Sequence, residues 1–173
     1  MILDFILEGI LSAFGLLLSG DAETFSAIKA TLYTSSISIL FAIIIGFPIG
    51  FILGFYEFRA RRVLRLLSDV ALAMPTVAIG LILYAFISRN GPFGELGLLF
   101  TLKAVMLGQF VLALPIIVSL SASVIENMDK KHHLNIMNYR LSPLNLILCV
   151  LYELRYALLV VIATAYGRIV AEV

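Results

Sequence analysis

Three uncharged apolar runs, at residues 30–56, 70–88 and 104–125, dominate the pattern along the chain. A helix of about 20 residues crosses the roughly 30 Å hydrocarbon core of a bilayer. Each run has the length for one crossing, and none contains Asp, Glu, Lys or Arg. The pattern therefore predicts three spanning helices. Residues 1–20 are also apolar, but Asp4 and Glu8 interrupt them. The uncharged remainder, 9–20, is too short to cross. It predicts an amphipathic helix at the membrane interface, with a poorly formed span as the alternative. Asp21 or Thr24 is suited to cap the helix that follows.

After the third run the pattern changes. Residues 127–145 form a polar connecting segment, with a short helix expected around 132–140 and Ser142-Pro143 as a break. Residues 147–173 read as further apolar helices, interrupted by Glu153-Leu154-Arg155. The pattern is still in progress at Val173, so the expectation is a native protein that continues.

Within the first run, Gly46, Gly50 and Gly54 recur every four residues. That spacing puts them on one helix face, where a neighbouring backbone can approach closely. Pro48, between them, removes a backbone hydrogen bond and predicts a kink. Pro75-Thr76 falls in the second run, and Gly108-Gln109 and Pro115 in the third. A mid-membrane Gln needs a partner or water. Thr76 and Gln109 are thus candidate pathway residues, and packing irregularity is the plainer account of the same pattern.

Composition narrows the class. Hydrophobic residues make up 62% and charged residues 13%, and the mean hydropathy is +1.10. These values exclude a soluble enzyme, a disordered chain and a disulfide scaffold. The net charge of +1 offers no basic field for nucleic acid. Cys149 has apolar sequence neighbours and is expected to be packed and inert. His132-His133 has no Cys or carboxylate cluster beside it, so no metal or other cofactor is expected. The N-terminus is acidic where a signal peptide would be basic.

Charge placement predicts topology. Residues 57–65 carry four arginines, and residues 129–140 carry Lys130, Lys131 and Arg140. The positive-inside rule puts both on the cytoplasmic side. The Gly- and Pro-rich stretch 89–103 and the acidic N-terminal stretch then fall outside, and all four assignments agree.

No GxxxxGK[ST] phosphate loop, Gly-x-Ser-x-Gly turn or His-Glu-x-x-His is present. The three runs contain no nucleophile and base and no paired aspartates for an intramembrane protease. Transport or scaffolding remains.

Longer motifs carry a resemblance. Leu83-Tyr84-Ala-Phe-Ile-Ser88-Arg89-Asn-Gly91-Pro92-Phe-Gly94, then Leu98-Leu-Phe-Thr101, Gly108-Gln109 and Leu114-Pro115-Ile-Ile resemble the permease subunits of tungstate ABC importers. Tyr152-Glu153-Leu154-Arg155, Ala157-Leu-Leu and Tyr166-Gly167-Arg168-Ile-Val-Ala-Glu172-Val173 continue the likeness. That family is similar to the molybdate and sulfate permeases.

The resemblance implies an all-α type I ABC importer transmembrane domain, truncated at its C-terminus. It implies a multi-pass protein of a prokaryotic plasma membrane, importing a tetrahedral oxyanion, tungstate first and molybdate second. Its implied partners are a separate ABC ATPase subunit, an extracytoplasmic oxyanion-binding protein, a second permease copy in a homodimer and the lipid bilayer. The rivals are a non-transporting or degenerate scaffold and an importer of another solute on the same fold.

The resemblance also places a coupling interface in the polar segment, with His133, Asn135, Asn138, Tyr139, Arg140, Ser142 and Pro143 as its candidates. Here the chain departs from the family. The Glu-Ala-Ala-x-x-x-Gly core falls on Leu134-Asn135-Ile136 and Arg140, so both the acid and the glycine are missing.

Arg168 lies 13 residues beyond Arg155, or about 20 Å along a helix. An arginine past the bilayer middle is costly and marks function by default. Two roles are open. It attracts the oxyanion in the translocation pathway, or it forms a structural pair with Glu172, four residues on and on the same helix face.

Overall fold

The computed structural model describes residues 2–128 and 142–172. Among these the chain is helical, with no strand. Helices α1 (Ile2–Ser19), α2 (Ala22–Phe55), α3 (Arg61–Ala73) and α4 (Thr76–Ile87) come first. A short 3-10 turn, Gly94–Leu96, precedes α5 (Leu102–Glu126). Helices α6 (Pro143–Glu153) and α7 (Arg155–Val170) follow.

The two uninterrupted apolar runs become the two long helices. α2 has 34 residues, about 51 Å at 1.5 Å each, so it outreaches the hydrocarbon core. α5 has 25 residues. Both continue through a proline, Pro48 in α2 and Pro115 in α5. Among the described residues these two helices are long and apolar enough to cross a membrane. The bent pairs α3–α4 and α6–α7 bring the number to four if each makes one crossing.

The expected continuous run 70–88 is divided. α3 ends at Ala73, α4 starts at Thr76, and the two helices meet at 101°. Pro75 has no N–H and crowds the residue before it out of the helical region. Met74 is accordingly extended, with φ −64° and ψ 138°. Residues 147–170 likewise form two helices that bend by 81° at Leu154.

α2 and α5 form the centre of the bundle, with α7 against both. Ile39 and Ala42 from α2, Ile117 from α5, and Val161, Ala165 and Ile169 from α7 share one buried cluster. A second cluster closes the other end, where Phe51 and Phe55 of α2 meet Ile125, Met128 and Val150. The Phe51 and Phe55 rings stack with centroids 5.1 Å apart.

α1 stands apart from this core. Ile6, Leu7, Ile10, Leu11 and Leu18 are all exposed along it. Asp21 caps α2, its carboxylate accepting from the Thr24 N–H at 2.9 Å and the Thr24 hydroxyl at 2.7 Å. These donors hold the Asp21 carboxyl below the usual carboxylate range.

Two expectations concern single residues. Cys149, expected to be packed, is exposed. Leu146, Ile147 and Val150 turn one side of α6 to the core, and Cys149 lies on another side. The His132-His133 pair lies outside the described residues.

Candidate functional site

The glycine stripe lies against α5. A Cβ built on Gly46 would stand 2.8 Å from Ile117 Cγ2. One on Gly54 would stand 2.7 Å from the Ala122 carbonyl oxygen and 2.8 Å from Ile125 Cβ. One on Gly50 would strike the Ser121 hydroxyl and come within 3.0 Å of the Val118 carbonyl oxygen. The backbones of α2 and α5 approach closely along this line because no side chain separates them.

Further along the same seam sits Gln109. It is 3% exposed and bonded to α2 through both amide atoms. Its amide Nε2 donates to Ser35 Oγ at 2.8 Å, and Ser38 Oγ donates to its Oε1 at 3.2 Å. Ser38 also lies 2.9 Å from the Met106 carbonyl oxygen and 2.8 Å from that of Thr34. The buried glutamine has its partners between two helices, as a polar group in an apolar interior requires.

Thr76 opens α4 at the Pro75 break and is partly buried. Arg168 stands on α7, beside that break. With Thr164 it lines a cavity of about 270 Å3, closed by Leu72, Met74 and Ile79 from the α3–α4 bend and by Ile116 from α5. Its Nε lies 3.4 Å from Glu172 Oε1, and its side chain is 52% exposed. The structure thus does not bring the three pathway candidates together. Arg168 lines the cavity, Thr76 sits at the break beside it, and Gln109 is in the α2–α5 seam.

A larger apolar cleft of about 550 Å3 opens along α3 and α4. Leu53, Leu64, Leu67, Phe86, Leu114 and Val118 are among its walls.

Of the coupling candidates, Ser142 and Pro143 fall among the described residues. Ser142 caps α6, accepting from the Asn145 N–H at 3.4 Å, and Pro143 opens its first turn. His133, Asn135, Asn138, Tyr139 and Arg140 lie outside them.

The Ser88–Gly94 motif wraps the C-terminal end of α4. The Gly91 N–H donates to the Ser88 carbonyl at 2.8 Å, and the Phe93 N–H to that of Phe86 at 2.9 Å. A Cβ on Gly91 would collide with the Ala85 and Phe86 carbonyl oxygens. The motif therefore closes the helix end, where unpaired carbonyls need donors.

One polar cluster was not foreseen from the sequence. In sequence the charges of 57–65 read as a loop, but Arg61 and Arg65 lie in the first turns of α3 and point into the bundle. Arg61 Nη2 lies 2.5 Å from Glu126 Oε1, and Arg61 Nε donates to the Leu53 carbonyl at 2.7 Å. Arg65 Nη1 donates to the Ser119 carbonyl at 2.8 Å, and its Nη2 lies 3.5 Å from Glu126 Oε2 and also bonds Ser123 Oγ. The Ser119 hydroxyl donates to Asp69. The signal was the Arg61-x-x-x-Arg65-x-x-x-Asp69 spacing, which sets one helix face.

Helices of membrane-crossing length, a close glycine-lined seam and polar side chains satisfied between helices define an integral membrane protein. Comparison with known sequences gives the particular class. Residues 46–171 match the family model described as "binding-protein-dependent transport system inner membrane component".

The tungstate uptake system permease protein of Campylobacter jejuni is 58% identical over 171 residues, covering 99% of this chain and 72% of that one. The corresponding permease of Peptoclostridium acidaminophilum is 27% identical, covering 99% and 75%. A probable anion ABC transporter permease protein of Haloferax volcanii is 31% identical over 148 residues, covering 86% and 64%. The chain belongs to the family of inner-membrane components of binding-protein-dependent transport systems. It is a transmembrane permease subunit and not itself an enzyme; ATP hydrolysis belongs to a separate subunit.

Proposed function

We propose that this permease subunit imports a tetrahedral oxyanion, tungstate first and molybdate second. The observation that carries the reading is the 58% identity, over nearly the whole chain, to a permease named for tungstate uptake. The 31% identity to a probable anion permease supports the anion class.

In this reading the protein is a multi-pass component of a prokaryotic plasma membrane. It works as a homodimer with two ATPase subunits and receives its anion from an extracytoplasmic binding protein. α1 lies at the outer interface. α2, the α3–α4 pair and α5 supply the spans expected from 30–56, 70–88 and 104–125. Residues 127–145 form the cytoplasmic coupling segment, and the apolar helices of 147–173 follow it. His133, Asn135, Asn138, Tyr139, Arg140, Ser142 and Pro143 are the proposed ATPase contacts. Arg168, with Thr76 nearby, marks the proposed pathway at the cavity beside the α3–α4 break. Gln109 serves helix packing there, on the strength of its bonds to Ser35 and Ser38.

The test is metal content of cells at trace tungstate. A strain without this gene accumulates less tungsten, and the gene restores it. Equal tungsten and molybdenum in both strains would overturn the oxyanion assignment.

A further inference from the structure

α3 is an amphipathic helix turned inward on its polar side. Val63, Leu66, Leu67 and Val70 are exposed, while Arg61 and Arg65 are only 23% and 17% exposed. Its charged edge runs antiparallel to the last two turns of α5. Arg61 meets Glu126, Arg65 meets Ser123 and Glu126, and Asp69 meets Ser119. The partners step by four along α3 and by four and three along α5. That is the spacing of one face on each helix, so the ladder holds the two helices in a single register.

Glu126 is the last residue of α5; it accepts from Arg61 and forms an ion pair with Arg65 at 3.5 Å. The next residue begins the segment 127–145 read above as the coupling segment. At its other end α3 runs into Met74-Pro75, and the bend there walls the cavity that Arg168 lines. Arg61 also satisfies a carbonyl in the last turn of α2, at Leu53, one of the acceptors left open at a helix end. One short helix thus joins the end of α2, the end of α5 and the cavity wall.

We propose that Arg61, Arg65 and Glu126 are positioning residues, a charged clamp through which displacement of the segment after α5 moves the α3–α4 bend. The proposal rests on the importer reading. Charge-assisted, multiply bonded guanidinium groups transmit a pull with less slack than apolar contact, because their geometry is directional. The apolar side of α3, facing away, offers no comparable hold on α5. Neither arginine touches the anion; they act through α3.

The experiment uses the whole transporter: permease, ATPase and binding protein in proteoliposomes, with tungstate as substrate. The readout is ATP hydrolysed per tungstate taken up. In Glu126→Gln the clamp loses its charge but keeps its shape. The assembled complex still hydrolyses ATP, and the ATP spent per tungstate rises at least about fivefold, the low end of ordinary coupling energies. The reversed pair Arg61→Glu with Glu126→Arg restores part of the ratio. A merely structural role lowers assembly, with hydrolysis and uptake falling together. Glu126→Gln and Arg65→Lys complexes with the wild-type ratio would overturn the clamp. So would Glu126→Gln failing to assemble while Arg65→Lys keeps the wild-type ratio. A wild-type complex that assembles, hydrolyses ATP and moves no tungstate would instead sink the importer reading.

Discussion

Gln109 on α5 and Ser35 on α2 are joined across the central seam by a 2.8 Å hydrogen bond, with the amide donating to the hydroxyl. They are 74 residues apart in sequence and both buried. A glutamine read from sequence as a candidate for the transport path is therefore part of the joint between the two longest helices. Ser38 accounts for its other amide atom. Both amide atoms of Gln109 are thus bonded to α2 in a buried seam.

Replacing it gives a graded expectation. Gln109→Leu keeps the volume and removes both hydrogen bonds. Ser38 still has the Thr34 and Met106 carbonyls, so Ser35 alone loses its donor. The loss is about 1 kcal/mol, near the lower limit for a stranded buried group and typical of bonds between membrane helices. The purified complex is expected to unfold at a lower temperature while the affinity for transported anion is unchanged. An unaltered unfolding temperature with abolished uptake would return Gln109 to the pathway.

Gly54 and Gly80 make a matched pair. Alanine relieves about 1 kcal/mol of glycine's helix penalty at either position. At Gly80 the new Cβ meets nothing within 4 Å, so Gly80→Ala is neutral or slightly stabilising. At Gly54 it meets the Ala122 carbonyl oxygen at 2.7 Å, and backbone cannot swing aside as a side chain does. Overpacking there costs about 1–3 kcal/mol, which outweighs the gain. Thermal unfolding of the two variants is expected to move in opposite directions, or down for Gly54→Ala alone. A Gly54→Ala protein as stable as Gly80→Ala would mean the helices part easily along this line.

These cases show what a linear pattern carries. Long uncharged runs and a glycine every fourth residue express one helix's own geometry, and α2 and α5 were legible on that basis. The division at Pro75 was half legible. The proline was seen, but a hydropathy window averages across a break, so 70–88 read as one run rather than two helices at 101°. The Arg61–Arg65–Asp69 face was missed for a related reason. Counting charges gives a sidedness but no direction, and direction depends on where α5 lies. Arg168 shows the limit most clearly. Its pairing with Glu172 follows from helix spacing, but its cavity is made by the α3–α4 bend and α5, far away in sequence.

Sidedness has its own test. Arg59 and Asn90 are both exposed, so a cysteine at either disturbs no packing. Arg61 is unsuitable because it belongs to the Glu126 cluster, and Gly91 because a Cβ there collides with the α4 carbonyls. The exposed Cys149 has first to be removed as Cys149→Ser. An impermeant thiol reagent added to intact cells is expected to label Asn90→Cys and to spare Arg59→Cys until the membrane is opened. Labelling of Arg59→Cys in intact cells would invert the topology read from the arginine bias.

Arg168 and Glu172 permit a sharper separation of roles. Their 3.4 Å contact is the i,i+4 pair that the helix dictates, and Arg168 also lines the cavity at the α3–α4 bend. The two facts make different demands on a double mutant. If Arg168 chiefly serves Glu172, then Arg168→Ala alone leaves a carboxylate without its cation, and that is worse than losing both charges. Assembly with the ATPase falls in Arg168→Ala, and Arg168→Ala with Glu172→Ala recovers much of it, along with uptake. If Arg168 chiefly attracts the anion, removing Glu172 as well cannot help, because the cavity still lacks its cation. The spacing and the contact favour the pair, so recovery is the expected outcome. The measurement is co-purification with the ATPase beside tungstate uptake for both mutants. A double mutant that assembles as well as wild type and moves no tungstate would assign Arg168 to the translocation path.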